Sequence, residues 1–179
     1  MLFSHDTEHS LACIVDLVNS APASDDQLSD LDALAAFVAD HDVSEVGQLT
    51  DADLREVRDL RADLAPLFDS LDDEAAASVV NSLLSRAGVT PRLTDHDGYD
   101  WHIHYFVPGA SLAQHLTADC GMALAQVVAS GEGERLRRCA APDCDQVLVD
   151  LSRNRSKRYC SATCTNRNAA AAYRARRSG

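Results

Sequence analysis

The sequence has 179 residues with a net charge of −12, and 46% of them are hydrophobic while only 5% are aromatic. This length suits one ordinary domain and a small second module, and the apolar share is enough for a core of Ala, Leu and Val. No apolar run approaches the roughly 18 residues of a membrane-spanning helix, so no membrane partner is expected. The opening residues MLFSHDTEHS lack the basic and apolar regions of a signal peptide, so we expect a cytoplasmic protein with reduced cysteines.

The charge is distributed unevenly along the chain. Residues 1–133 hold five basic and 24 acidic residues, a balance of −19, whereas residues 134–179 hold eleven basic and four acidic residues, a balance of +7. Such an asymmetry predicts two modules, which we place at 1–131 (acidic) and 132–179 (basic). A polyanion would be attracted by the basic module and repelled by the acidic one.

Apolar residues recur at helical spacing in four segments of the acidic module, which predicts four helices: 7–19, 28–38, 50–67 and 72–87. We expect Thr7 or Ser10 to cap the first helix and Thr50 to cap the third, because hydroxyl side chains satisfy the free N–H groups of a first turn. Pro66 is expected to kink or end the third helix, and Gly88 to stop the fourth.

The pattern then changes to that of a β-hairpin, followed by a fifth helix at 111–130. Asp97-Gly98 is a turn signal between two extended runs. Alternation gives the second run two faces: Trp101, Ile103 and Tyr105 on one, and His102, His104 and Phe106 on the other. The acidic domain is therefore predicted to be mainly α with a small β-hairpin (α+β).

Two histidines of this domain are candidates for chemistry, and its two cysteines are not. His102 and His104 share one strand face, which suits a metal ion, a polar pocket for a small ligand, or simply a polar surface. Cys13 and Cys120 fall in two of the helices and are interpreted as small core residues. The sequence has no HExxH, phosphate loop, GxSxG or kinase motif, so we expect no enzymatic activity.

Four cysteines form two pairs in the basic module: Cys139 with Cys144 and Cys160 with Cys164. The spacings C-x4-C and C-x3-C allow each pair to hold one Zn²⁺ from a single turn of chain. Two disulfides are the alternative, which a reducing compartment disfavours. Four thiolates leave no open position at the metal, so the zinc is expected to be structural.

The segments between and after these cysteines predict the rest of the module. Residues 146–151 read as a strand, residues 152–156 as a polar turn, and Ser161 as the cap of a final helix. A knuckle, a short hairpin and a helix that carries the second ligand pair indicate a treble-clef-like zinc finger ending in a helix. So small a unit buries little apolar area, so zinc is expected to supply most of its folding free energy.

The tail resembles the CGNR-type zinc finger of bacterial proteins. The matching residues are Cys139, Cys144, Leu148, Asp150, Ser152, Arg158, Tyr159, Cys160, Ser161, Cys164, Asn166 and Arg167. The motif Cys-Gly-Asn-Arg stands here as Cys164-Thr165-Asn166-Arg167, and Tyr159 replaces the usual Trp. The upstream chain is similar to the companion ABATE domain in three places: residues 11–19, 102–104 and 135–138. The resemblance implies a stress-responsive transcriptional regulator with a sensor-like body and a DNA-binding finger.

Two basic clusters surround the second cysteine pair, and their charge suits phosphate groups. We expect DNA contacts from Arg153, Arg155, Lys157, Arg158, Asn166, Arg167, Arg174, Arg176 and Arg177. Asn166 and Arg167 also suit a structural role, either at the start of the helix or as partners of Asp150. A small-molecule-binding or enzymatic body with a structural or protein-docking zinc module is the alternative function. Because one short helix often reads only a half-site, we expect a homodimer.

Overall fold

A computed structural model describes residues 2–21, 26–95 and 101–177. The described chain forms these elements: α1 His5–Asn19, α2 Leu31–Asp40, α3 Asp51–Leu64, α4 Asp73–Ala87, β1 Arg92–Thr94, β2 His102–His104, α5 Leu112–Ala129, β3 Leu136–Arg138, β4 Val147–Val149 and α6 Ala162–Arg177. Both hairpins are antiparallel, β1 with β2 and β3 with β4. The predicted fold class, mainly α with a small hairpin and a cysteine-rich module that ends in a helix, is confirmed. None of the described helices is long and apolar enough to cross a membrane.

Polar caps define where the helices begin and end. Ser4 accepts the N–H of Thr7 and caps α1, so the predicted caps Thr7 and Ser10 were wrong: both lie inside the helix. Thr50 caps α3 as predicted, within a reciprocal capping box formed with Asp53. Gly88 ends α4 in the left-handed conformation, with φ +61°, which a residue without a Cβ adopts freely.

The helix α5 lies at the centre of the helical domain and packs against α1, α3 and α4. Gly121 permits its close approach to α4, because a Cβ at this position would lie 2.9 Å from the Leu84 side chain. Cys13 of α1 and Cys120 of α5 are both buried free thiols, as expected of core residues. Pro66 lies in a short 3₁₀ turn that follows α3, where the helix was expected to kink or end.

The first hairpin has a packed inner face and an exposed outer face. Phe106 is 3% exposed and stacks on His115 of α5, with ring centroids 3.5 Å apart. Leu93 of β1 pairs with Ile103 of β2, and both side chains point away from the core. The predicted turn at Asp97-Gly98 lies outside the described residues.

The second hairpin lies within the basic module yet belongs to the core of the helices. Leu136, Val147 and Val149 are buried in the same apolar cluster as α1, α3 and α5. The side-chain amide of Asn19, the last residue of α1, binds the backbone of β4 at Val147, as a neighbouring strand would. It accepts the N–H of Val147 at 2.7 Å and donates to the Val147 carbonyl at 3.0 Å. The finger is therefore fixed to the helical domain by apolar packing and by a hydrogen-bonded strand edge.

Candidate metal centre and basic surface

The four cysteines of the tail converge on one point. The sulfur atoms of Cys139, Cys144, Cys160 and Cys164 all lie within 4.8 Å of one another, and two of the separations are 3.7 Å. Zinc bound to four sulfurs at about 2.3 Å in a tetrahedron requires S···S distances of about 3.8 Å. A disulfide needs about 2.05 Å, so the spacing fits a metal ion and not a pair of disulfides.

Local hydrogen bonds hold the ligand segments in place. The Cys160 N–H points at the Cys139 sulfur, 3.4 Å away, which joins the two ligand pairs. Ser161 Oγ accepts the Cys164 N–H at 3.2 Å and caps the start of α6, as the sequence predicted. The hydroxyl of Thr165, where the resembled family has Gly, donates to the Ser161 carbonyl at 3.0 Å. This substitution thus adds a bond to the first turn and leaves the ligands in position.

The ionisation of these thiols favours a bound cation. Burial raises the pKa of Cys139, but N–H groups of Cys160 and Ala141 and the adjacent thiols outweigh it and lower the pKa to about 7. Burial, together with the neighbouring thiols, raises the pKa of Cys160 to about 12 against a lowering by the Ser161 hydroxyl. One thiolate therefore forms readily and opposes the next. A divalent cation removes this repulsion, so the donor set fits Zn²⁺.

Two buried charged residues shape the loop that precedes the third ligand. The carboxylate of Asp150 is fully buried and accepts hydrogen bonds from the Ser152 N–H and hydroxyl and from the Lys157 N–H. Arg137 approaches the same carboxylate at 3.4 Å. Arg137 therefore occupies the partner position that the sequence reasoning considered for Asn166 or Arg167. Arg135, only 3% exposed, donates to the carbonyls of Asp150 and Ser152.

All the residues expected to contact DNA are exposed. They lie on the loop before Cys160 and on α6: Arg153, Arg155, Lys157, Arg158, Asn166, Arg167, Arg174, Arg176 and Arg177. Arg155 is not entirely available, because its guanidinium lies 3.0 Å from Glu132 and 3.5 Å from Glu134. Arg177 packs over the ring of Tyr173. The two basic clusters thus flank the second cysteine pair along the chain, and acidic residues already neutralise part of the first cluster.

The helix α6 is exposed along nearly its whole length. Cys164 is its only buried side chain among those described, and Asn168, which donates to the Cys164 carbonyl at 2.9 Å, is half-buried. The run 169–172 of four alanines is fully on the surface. The helix is therefore held at its first turn by the ligand Cys164, and its remaining turns are open to a partner.

His102 and His104 lie on the inner face of the first hairpin, as alternation predicted. Their Nε2 atoms are 3.0 Å apart, and Arg92 Nη2 lies 3.4 Å from His104 Nδ1. Within the described residues, the cysteine quartet is the only group of three or more metal-binding side chains close enough to share an ion. A cavity of about 140 Å³ lies near the histidine pair, with Glu45 and His115, two neighbours of His104, in its wall.

Sequence reasoning missed the residues that join the finger to the body. Asn19 was seen only as the end of a helix, and nothing in its neighbours indicates a strand edge 128 residues away. Glu132 and Glu134 were counted as acidic residues near the module boundary, without a partner. Two glutamates followed by three arginines over 132–138 were the one available signal of local ion pairs, and this order does not specify which residues pair.

A helical domain followed by a four-cysteine zinc finger is the class of protein that this fold and site define. A family model described as "CGNR zinc finger" matches residues 135–177. A second model, ABATE, described as "Putative stress-induced transcription regulator", matches residues 11–131. The ABATE match covers well over half of the chain, so the chain belongs to this family, and the resemblance seen in the sequence is confirmed. A search of curated proteins finds no match.

Proposed function

We propose that this protein is a zinc-dependent, DNA-binding transcriptional regulator of the stress response that acts in the cytoplasm. The observation that carries the proposal is an exposed, basic helix rooted in a zinc site on a chain that is otherwise acidic. The tail has a balance of +7 within a total of −12. Its arginines lie on the surface of the loop and α6 while the four thiols hold both segments together.

The geometry suits a duplex. A single α-helix fits the major groove of DNA, and α6 is uncovered beyond its first turn. Arg153 and Lys157 on the loop and Arg176 on the helix are exposed cations that suit phosphate groups, while the exposed Asn166 near the start of α6 suits an adenine edge. Zinc, when bound, supplies the rigid link between loop and helix. The acidic body repels the phosphates, which directs the DNA to the finger.

Salt dependence of DNA binding tests the proposal on the full-length, zinc-loaded chain. Each phosphate contact contributes about one unit to the slope of log K against log salt. We expect Arg153→Gln and Arg176→Gln each to weaken binding and to reduce this slope by about one. Fluorescence anisotropy with labelled duplex DNA at several salt concentrations measures both quantities.

Arg55→Gln is the matched control, because Arg55 is an exposed arginine on α3 of the acidic body. It should leave affinity and slope at the wild-type values. A chain that fails to bind DNA even at low salt contradicts the proposal. So does an equal effect of all three substitutions, which would indicate a general charge effect instead of contacts made by the finger.

A second candidate function is the binding of a small polar ligand by the helical body. The cavity of about 140 Å³ beside the histidine pair favours it, because the buried imidazole of His115 and the carboxylates of Glu45 and Asp53 contribute to its wall. A thermal-shift screen of divalent metals and small polar metabolites on the zinc-saturated protein tests it. A stabilising compound whose effect is lost in Glu45→Gln, a residue of the cavity wall, supports this function, and no shift beyond that of zinc counts against it.

A further inference from the structure

The helix α6 has one face that is turned away from the finger. Cys164, which is buried, and Asn168, which is half-buried and donates to the Cys164 carbonyl, mark the side that packs on the module. The opposite side, called the outward face, carries exposed residues at the spacing i, i+4, i+7 and i+11: Asn166, Ala170, Tyr173 and Arg177. Asn166 and Asn168 therefore point in opposite directions, the first into solvent and the second into the module.

Arginines border the outward face on both sides. With about 3.6 residues per turn, Arg167 and Arg174 lie roughly a quarter turn to one side of it, and Arg176 lies roughly a quarter turn to the other. No acidic residue occurs in α6, although the chain holds 28 of them. At the far end of the face, the Arg177 guanidinium lies over the Tyr173 ring, 5.7 Å from its centroid. The face is therefore uncharged from Asn166 to Tyr173 and cationic at its borders.

This distribution matches a helix seated between two phosphate backbones. Cations at both borders suit the walls of a groove, and the uncharged middle suits its floor, where the base edges lie. The major groove of B-DNA, about 12 Å wide, admits an α-helix, whereas side chains cannot read the narrow major groove of duplex RNA. A membrane surface requires a broad apolar face, and Tyr173 is the one large apolar side chain of the outward face. Duplex DNA is therefore the partner that fits.

We propose that the outward face reads base edges in the major groove and selects A·T pairs, an inference that rests on the proposed DNA binding. The Asn166 amide has both a donor and an acceptor, which match N7 and N6 of adenine. Ala170 follows one helical turn later, about 6 Å along the axis, a distance of roughly two base-pair steps. Its methyl group suits the methyl group of thymine. Arg167 and Arg176 hold the two backbones and contribute affinity without sequence preference.

Selection from a pool of randomised duplexes by the full-length, zinc-loaded chain tests the preference. We expect enrichment of an adenine with a thymine about two base pairs away. Two modified bases in the selected duplex then test each contact, because 7-deazaadenine lacks the N7 acceptor and uracil lacks the thymine methyl group. Fluorescence anisotropy should show binding weakened about fivefold by 7-deazaadenine, the low end of what a bidentate pair contributes. Uracil should weaken binding up to about fourfold, the contribution of one buried methyl-sized group.

Asn166→Ala separates base reading from electrostatic attraction. It should remove the adenine preference and the effect of 7-deazaadenine, while the slope of log K against log salt stays at the wild-type value. Arg176→Gln is the matched contrast on the border of the same helix. It should weaken binding to the selected duplex and to a scrambled duplex by the same factor, and reduce the slope by about one. Far-UV circular dichroism verifies that both variants fold.

The outcomes distinguish this inference from the proposed function. DNA binding without an enriched sequence, or with an enriched G·C sequence, overturns base reading by the outward face and leaves DNA binding intact. An A·T preference that persists in Asn166→Ala also overturns it, because the bases are then read elsewhere. Binding to duplex RNA as tight as binding to duplex DNA rejects the docking of α6 in the major groove. A chain that binds no duplex at any salt concentration overturns both proposals.

Discussion

At the scale of the residue, Asp150 shows how one buried carboxylate organises a binding loop. Burial raises its pKa, but hydrogen bonds from Ser152 and Lys157 and the charge of Arg137 outweigh this effect and lower the pKa below its usual range. The carboxylate therefore stays ionised and fixes both ends of the loop that bears Arg153. The exposed loop arginine is thus held in place by a buried residue.

His41 gives this protein a predictable response to acid. It is 9% exposed, packs on Phe37 and lies 3.4 Å from Asp16. Burial lowers its pKa below the usual 6.5, and Asp16 opposes this in part. The unfolded chain therefore takes up the proton first as the pH falls. Stability contributed by neutral His41 is complete above about pH 6.5 and is lost between that pH and the folded pKa.

Urea unfolding at a series of pH values, with saturating zinc, measures this effect. We expect the free energy of unfolding to fall less steeply on acidification in His41→Gln than in the wild type. Asp16→Asn should act in the opposite direction and steepen the fall, because it removes the charge that favours protonated His41. Equal slopes in all three proteins would show that His41 does not contribute to the pH dependence.

Residues that act through local spacing could be predicted, and residues that act across the fold could not. The zinc ligands were found because cysteine spacing alone defines how a metal is held. Thr50 was found because a cap is read from the turn that it begins. Asn19 and Arg135 were not found, because their roles depend on strands and carbonyls that only the folded chain brings to them. The prediction that His104 faces inward was also correct, because the two-residue period of a strand, like a helix cap, depends only on neighbouring residues.

At the scale of the element, β3 and α6 differ in what stabilises them. The strand β3 has three residues, Leu136–Arg138, and becomes a strand only because β4 pairs with it. No periodic pattern of that length identifies a strand in a sequence. The helix α6 was predicted because its alanine run and its cap favour a helix without help from packing. Its exposure therefore does not indicate instability, and it leaves the helix available for binding.

At the scale of the whole molecule, two modules of opposite charge share one core. The composition predicted a division near residue 132, and the family models also separate residues 11–131 from residues 135–177. The physical contact crosses this division, since Val147 and Val149 of the basic module pack among the helices. Arg138 and Asp69 add an ion pair across it. The charge pattern describes how residues are distributed along the chain. It does not predict which apolar faces pack together in the core.

This shared core predicts that helix unfolding and zinc release occur together. In a urea titration of the zinc-loaded chain, far-UV circular dichroism should report the helices and a chromophoric chelator the released metal. We expect both transitions at the same urea concentration in the wild type, because the finger cannot open without exposing Val147 and its neighbours.

Asn19→Ala leaves the Val147 N–H and carbonyl without partners, which costs about 1–3 kcal/mol. Zinc release should then move to lower urea than the loss of helix. Asn166→Ala, an exposed asparagine on α6, should keep the two transitions together. Zinc release that precedes helix loss in the wild type would show instead that the finger and the body unfold as independent units.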